Sequence, residues 1–322
     1  MCAQRQCHAI RESIEYRRIA AKQRNECMHR FKQLFQTSIP ALFVLLWSTG
    51  FIGAKFGLPY AEPFTLLFYR FVLTLLLLAG LIAYFRPAMP ASGRQKLHLM
   101  VSGSLIHGAY LGGVFTAIKL GMAAGLIALL VGLQPLLTTL VTPFVFRQRI
   151  GIVQWSGVLL GLLGVGLILD IGGAHMAHVG YSALLAAAVA LIGITAGTLY
   201  QKKFCAQNAL LSSALYQYLS TVVIFGLGAF FFESMQVQWT IPFVLSLLWL
   251  VLGLSIGAIL LLTYLIKHGA AHKVASWFYL VPAATALEAF WVFDEELGLR
   301  KIIGIVVVVF AVVLATRENS TQ

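Results

Sequence analysis

Acidic side chains are scarce in this sequence: 11 Asp and Glu stand against 23 Lys and Arg in 322 residues, and charged residues of both signs make up 11%. Soluble globular chains carry about a quarter charged and about half apolar residues. Here 60% are hydrophobic and the mean hydropathy is +0.87, which excludes a water-soluble domain and predicts a polytopic membrane protein. Cysteine is rare too. The four, at positions 2, 7, 27 and 205, include none in a predicted external loop, so no disulfide framework is expected. No nucleophile stands beside a base, no two carboxylates share a membrane segment, and no glycine-rich phosphate loop or cysteine cluster occurs. These gaps argue against an enzyme, against ATP-driven transport and against a bound cofactor. His175 and His178 lie in a loop without a third ligand, so no metal site is expected.

Long apolar runs are what the chain has instead. From Ile39 onward ten segments approach the roughly 20 residues an α-helix needs to cross a hydrocarbon core. They span 39–57, 64–85, 98–118, 122–145, 152–170, 181–200, 211–232, 241–266, 272–293 and 301–316. The connectors are short and leave no room for a soluble catalytic domain. Residues 1–38 form a basic tail without a secretory signal, and Met28, just before the first segment, is an alternative start.

The segments repeat. Pro135 and Pro282, Thr138 and Thr285, Phe146 and Phe293, Gly151 and Gly298, and Gly157 and Gly304 all stand 147 positions apart (282 − 135 = 147). The same offset pairs Gly50 with Gly197, Lys55 with Lys202 and Tyr69 with Tyr216. The chain thus reads as a duplication, with a first repeat over 39–170, a linker and the start of the sixth segment over 171–185, a second repeat over 186–316, and a short tail at 317–322.

Charge orients the segments. With a cytoplasmic N-terminus, the inside segments hold the eight Lys and Arg of the tail together with Arg86, Arg94, Lys96, Arg147, Arg149, Lys202, Lys203, Lys267, Lys273 and Arg317. The outside loops hold only Lys119, Arg300 and Lys301. Both termini are then cytoplasmic, and the net charge of +12 reports membrane orientation and needs no nucleic-acid partner. Five segments per repeat is an odd number, so the second copy enters the membrane inverted. The expected fold is an all-α polytopic membrane protein of ten transmembrane helices in two inverted five-helix repeats, an architecture that lends itself to alternating access.

Four motifs carry a resemblance: Leu-Trp-Ser-Thr-Gly-Phe at 46–51 with Lys55 following, Phe-Tyr-Arg-Phe at 68–71, Ala-Leu-Leu-Val-Gly-Leu-Gln-Pro-Leu at 128–136 and Val-Ala-Ser-Trp-Phe-Tyr-Leu-Val-Pro at 274–282. With the acidic connector at 294–296, the chain resembles the drug/metabolite transporter superfamily, specifically its EamA-like branch of bacterial inner-membrane transporters. The resemblance covers 39–316. It implies a secondary transporter in the bacterial inner membrane that exports a small-molecule substrate such as an amino acid or its derivative, with protons as the coupling ion in many relatives. A lipid-linked metabolite flippase or a facilitator of the same fold is the alternative, and a homodimer is compatible with either.

Ionisable groups inside membrane segments are costly and are functional candidates by default. Lys55, Arg70 and Glu288 are three such groups. For Arg70 two readings stand: a substrate or gate residue, or a structural partner of Glu288 or of a broken helix end. For Lys55 the structural, snorkelling role is favoured. Glu288 shares a helix face with Trp277, and a carboxyl in a partly dry cavity holds a proton more readily than one in water, which suits proton coupling. Near Asp294 it could equally be wet and ionised.

Pro135 and Pro282 free backbone carbonyls inside their helices, at matched positions, and mark the repeat interface as the substrate site or as simple kinks. Gln134, Ser276 and Tyr279 beside them can supply hydrogen bonds. Trp47, Tyr69 and Trp277, with Tyr200 and Tyr264, are candidates for an aromatic pocket or for packing. Gly157, Gly161 and Gly164 form a small-residue face for close packing or a dimer contact.

Overall fold

The computed structural model describes residues 41–146, 151–169, 180–258, 261, 280–295 and 298–315. The chain divides into two units, Met1–Phe43 and Val44–Gln322, and the helical bundle belongs to the second. Ten helical segments are found among the described residues: α1 (Ala41–Gly57), α2 (Pro63–Phe85), α3 (Gly93–Lys119), α4 in two pieces (Ala124–Val131 and Gln134–Phe146), α5 (Ile152–Leu169), α6 (Tyr181–Phe204), α7 (Leu210–Phe232), α8 (Ile241–Gly257), α9 (Val281–Phe293) and α10 (Leu299–Ala315). They follow the apolar runs closely. α3 begins five residues earlier than its apolar run because Ser92 Oγ accepts a hydrogen bond from Gln95 N and Gln95 Oε1 accepts one from Ala91 N, a reciprocal cap that starts the helix in polar sequence. The predicted eighth and ninth segments extend into residues outside those described.

Large apolar side chains such as Leu76, Leu185, Phe230 and Val306 are exposed along the helices, as a bundle solvated by lipid requires. The core is built where helices of opposite halves meet. α5 packs on α10, the first piece of α4 on α9, and α2 on α7. α3 packs on α6, and its counterpart is α8 on α1, where Ser246 donates to the carbonyl of Gly53 at 2.7 Å. α2 meets α8 as α7 meets α3. Each pairing maps onto another when helix n is exchanged with helix n + 5.

The connectors show that the exchange inverts direction. The α1–α2 connector pairs with the α7–α8 connector through Ala61 and Val237, and Gln238 N donates to Tyr60 O at 2.9 Å. Their repeat equivalents, the α6–α7 and α2–α3 connectors, flank the opposite end, where His98 at the start of α3 meets Tyr200 at the end of α6. Equivalent loops therefore sit at opposite ends, which is the inverted arrangement.

Small residues permit the close crossings. A Cβ on Gly161 would fall on Leu136 and one on Gly164 would stand 2.7 Å from Val308, so the glycine face of α5 is consumed by packing against α4 and α10 within the chain. α3 and α7 are joined by hydroxyls: Ser220 donates to Met100 O at 2.9 Å and Thr221 reaches Gly103 O at 3.4 Å. The two halves also share a departure from α geometry. π-helical turns occupy Ser104–Ala109 in α3 and Trp249–Gly257 in α8, and the first range shifted by the repeat offset falls inside the second. Such turns release backbone groups and often mark functional sites.

Candidate functional site

Pro135 stands where α4 restarts, and Pro282 stands in the first described turn of α9. The first piece of α4 ends at Val131 and the second begins at Gln134, with Pro135 next; α9 is described from Val281, with Pro282 next. Residues 134 and 281 are one repeat offset apart. The α4 break meets the first described turn of α9: a Cβ on Gly132 would lie 2.5 Å from Pro282 Cγ. The crossing of α4 and α9 thus lies between the repeats, at the level of the α4 break and of Pro282. Gln134 donates to Thr198 Oγ1 of α6 at 3.0 Å, so it ties α4 to α6.

On α9, Glu288 accepts a 2.6 Å hydrogen bond from the Ser48 hydroxyl of α1, and Thr285 reaches the Ser48 carbonyl at 3.4 Å. Its second oxygen, Oε2, is buried and has no hydrogen-bond partner among the described residues. An unpaired buried acceptor costs on the order of 1–3 kcal/mol. The chain tolerates that cost at a membrane carboxylate, a place where function is the usual compensation.

Arg70 is 7% exposed within the bundle. Its Nε donates to Ser255 Oγ at 3.1 Å, and Ser255 in turn donates to Leu250 O, a bond the π turn of α8 makes available. The Tyr218 hydroxyl reaches Ser255 O at 3.4 Å, Tyr110 lies within electrostatic reach, and His107 packs against Phe71 and Tyr218. No carboxylate pairs with Arg70 among the described residues. The structure keeps Arg70 and Glu288 on separate hydroxyl partners, so the pair with Glu288, one of the readings open for Arg70, is not formed.

Lys55 has a different place. Its ammonium pairs with Glu295 at 2.7 Å and lies 4.1 Å from the centre of the Phe293 ring. Glu295 also accepts from Ala124 N at 2.9 Å and Gly125 N at 3.1 Å, capping the start of α4, where a carboxylate meets the positive end of the helix. A second exchange stands beside it. Glu233 after α7 accepts from Phe64 N and Thr65 N at the start of α2, while Glu62 before α2 accepts from Ser234 N. Lys119 adds a bond to Leu58 O at 3.1 Å. Together with the Ala61–Val237 bridge, these contacts latch one end of the bundle.

The other candidates divide among these regions. Trp47 is half-buried against the core. Tyr69 packs edge-on against Trp239 at 5.4 Å near the latched end, whereas Tyr200 bonds His98 at 2.6 Å near the opposite end, so these two do not share an aromatic pocket. Ser276, Trp277 and Tyr279 lie outside the described residues. Reasoning from sequence missed Ser48, Tyr110, Gln217, Tyr218 and Ser255. One signal was present: Gln217 is the repeat counterpart of Arg70.

The comparisons agree with this geometry. The model of the EamA-like transporter family matches residues 39–170 and again 181–317. A transporter of uncharacterised substrate from Bacillus subtilis, YvbV, is 26% identical over 290 residues, covering 88% of this chain and 92% of its own. A probable amino-acid metabolite efflux pump of Escherichia coli is 26% identical over 279 residues, covering 83% and 90%. The uncharacterised inner membrane transporter YedA of Escherichia coli is 26% identical over 294 residues, covering 89% and 92%. A solved crystal structure superposes with a TM-score of 0.63 at 20% identity, over 86% of this chain and 96% of that one, a likeness of fold. With two family matches that together span nearly all of the helical chain, this protein belongs to the EamA-like transporter family.

Proposed function

We propose that the protein is a secondary active exporter of small metabolites, amino acids or their derivatives, in the inner membrane, and that protons entering through Glu288 drive the export. The observation that carries the reading is Glu288 itself, a carboxylate between α1 and α9 with one oxygen bonded to Ser48 and the other buried without a partner among the described residues. The carboxyl can exchange a proton without breaking an ion pair, and its repeat counterpart is the neutral Val141. The break in α4, which meets α9 at Gly132 and Pro282, supports a substrate site at the repeat interface. The amino-acid class is supported by the efflux pump of Escherichia coli.

Lys and Arg concentrate in the tail and in the connectors of the unlatched end. The positive-inside rule makes that end cytoplasmic, with both termini on the same side. The latched end then faces outward. Export requires that the latch of Glu62, Glu233, Glu295 and Lys55 open while the cytoplasmic end closes.

Flux into proteoliposomes tests this. With the lumen made acid relative to the bath, an antiporter lets protons leave and draws substrate in. Radiolabelled amino acids offered singly are expected to include at least one that accumulates above the bath concentration and is released by a protonophore. Accumulation of no amino acid, or accumulation indifferent to the protonophore, would refute proton-driven amino-acid export.

A further inference from the structure

We propose that Arg70 is the seat for a carboxylate on the substrate, so that the compounds moved carry a carboxylate and are not merely amphipathic. The seat rests on the carrier reading above and names the group that the site grips.

The first ground is charge. Among the described residues Arg70 has no carboxylate partner. The undescribed residues 262–279 contain no Asp or Glu at all. The one acidic residue within the described helices of the membrane bundle is Glu288, and it is held by Ser48. A guanidinium carries five N–H donors in a fork that matches a carboxylate, and Ser255 takes only one of them.

The second ground is what surrounds it. The Tyr218 hydroxyl and Arg70 Nε converge on Ser255, and His107 packs against Phe71 and Tyr218, so among the described residues the guanidinium sits beside polar side chains and no carboxylate. A guanidinium with no carboxylate beside it among the described residues attracts an anion and repels a second cation.

The third ground is the repeat. The pseudo-symmetric counterpart of Arg70 is Gln217, which is equally buried and binds Ser102 of α3 at 3.3 Å, as Arg70 binds Ser255 of α8. The fold therefore fills this position with a neutral amide in one half. A positive charge in the other half exceeds what packing needs. The seat also lies close to the proposed proton site: Leu254, next to Ser255, contacts Gly50, two residues beyond Ser48.

The test offers proteoliposomes of the full chain radiolabelled phenylalanine, threonine and cysteine, each beside its methyl ester, together with lactate and succinate. The native protein is expected to move at least one free acid, and to move an ester on the order of 10- to 100-fold less efficiently, the worth of a charge-assisted hydrogen bond. Arg70→Gln is expected to lose that factor for the acid alone, with Arg70→Lys between the two. Tyr218→Phe, which keeps the ring, is expected to raise KM for the acid and leave the ester unchanged, and it serves where Arg70→Gln does not reconstitute. Lactate or succinate moved without any amino acid would overturn the amino-acid reading and support the seat. An amino acid and its ester moved alike, or lowered equally by Arg70→Gln, would overturn the seat and leave that reading standing. No flux of any probe would overturn both.

Discussion

Glu288→Gln proteoliposomes show no accumulation under an acid-lumen gradient, while exchange of labelled for unlabelled substrate across the same membranes continues. The substitution is nearly isosteric, and the amide oxygen still accepts from Ser48, so the α1–α9 contact at 2.6 Å survives. What is removed is the one titratable oxygen pair between these helices. One pH unit is worth 1.36 kcal/mol per proton, which sustains about tenfold accumulation at one-to-one exchange. The variant is expected to bring that ratio to one. Unchanged accumulation would assign Glu288 a structural role and move the coupling proton elsewhere.

Gly103→Val has the larger effect on the fold. A Cβ at position 103 would fall on the backbone of Gln217, where neither partner can yield by rotating a side chain. Ser220 and Thr221 pin the same crossing through Met100 O and Gly103 O. Overpacking costs about 1–3 kcal/mol where side chains can shift, and more where only backbone can. α3 and α7 would separate next to Tyr110 and Tyr218, so flux is expected to fall with stability. Gly80→Val is the matched control, since no atom lies within 4 Å of a Cβ there. The expected result is aggregated or low-melting protein for Gly103→Val and native behaviour for Gly80→Val in size-exclusion and thermal-melting measurements. A Gly103→Val protein as stable as the control would contradict the crossing.

How far the sequence could be read depended on whether a feature was local or arose from packing. The ten helices follow from apolar run length alone, and the break in α4 follows from Pro135, because proline acts on its own backbone. The early start of α3 was hidden, since Ser92 and Gln95 form a cap in sequence that no apolar pattern marks. The partner of Lys55 was not legible either. Glu295 lies 240 positions away, and only the folded bundle brings the α9–α10 connector to the end of α1. Arg70 stood out by its charge, but its setting did not, because Ser255 presents its oxygens through a π turn that periodicity does not reveal. The repeat offset would have found Gln217, and with it the asymmetry that makes Arg70 informative.

Alternating access requires the latched end to open in every cycle, and a disulfide across it tests that requirement most directly. Ala61 and Val237 face each other in an antiparallel bridge, a spacing of about 5 Å between Cα atoms that a disulfide accepts. The pair Ala61→Cys and Val237→Cys is placed in a chain with Cys2, Cys7, Cys27 and Cys205 replaced by serine, and reconstituted for flux. Oxidation is expected to form the bond and stop net flux and exchange alike, and reduction to restore both. Undiminished flux through the oxidised, cross-linked protein would contradict an alternating mechanism that passes substrate through this end.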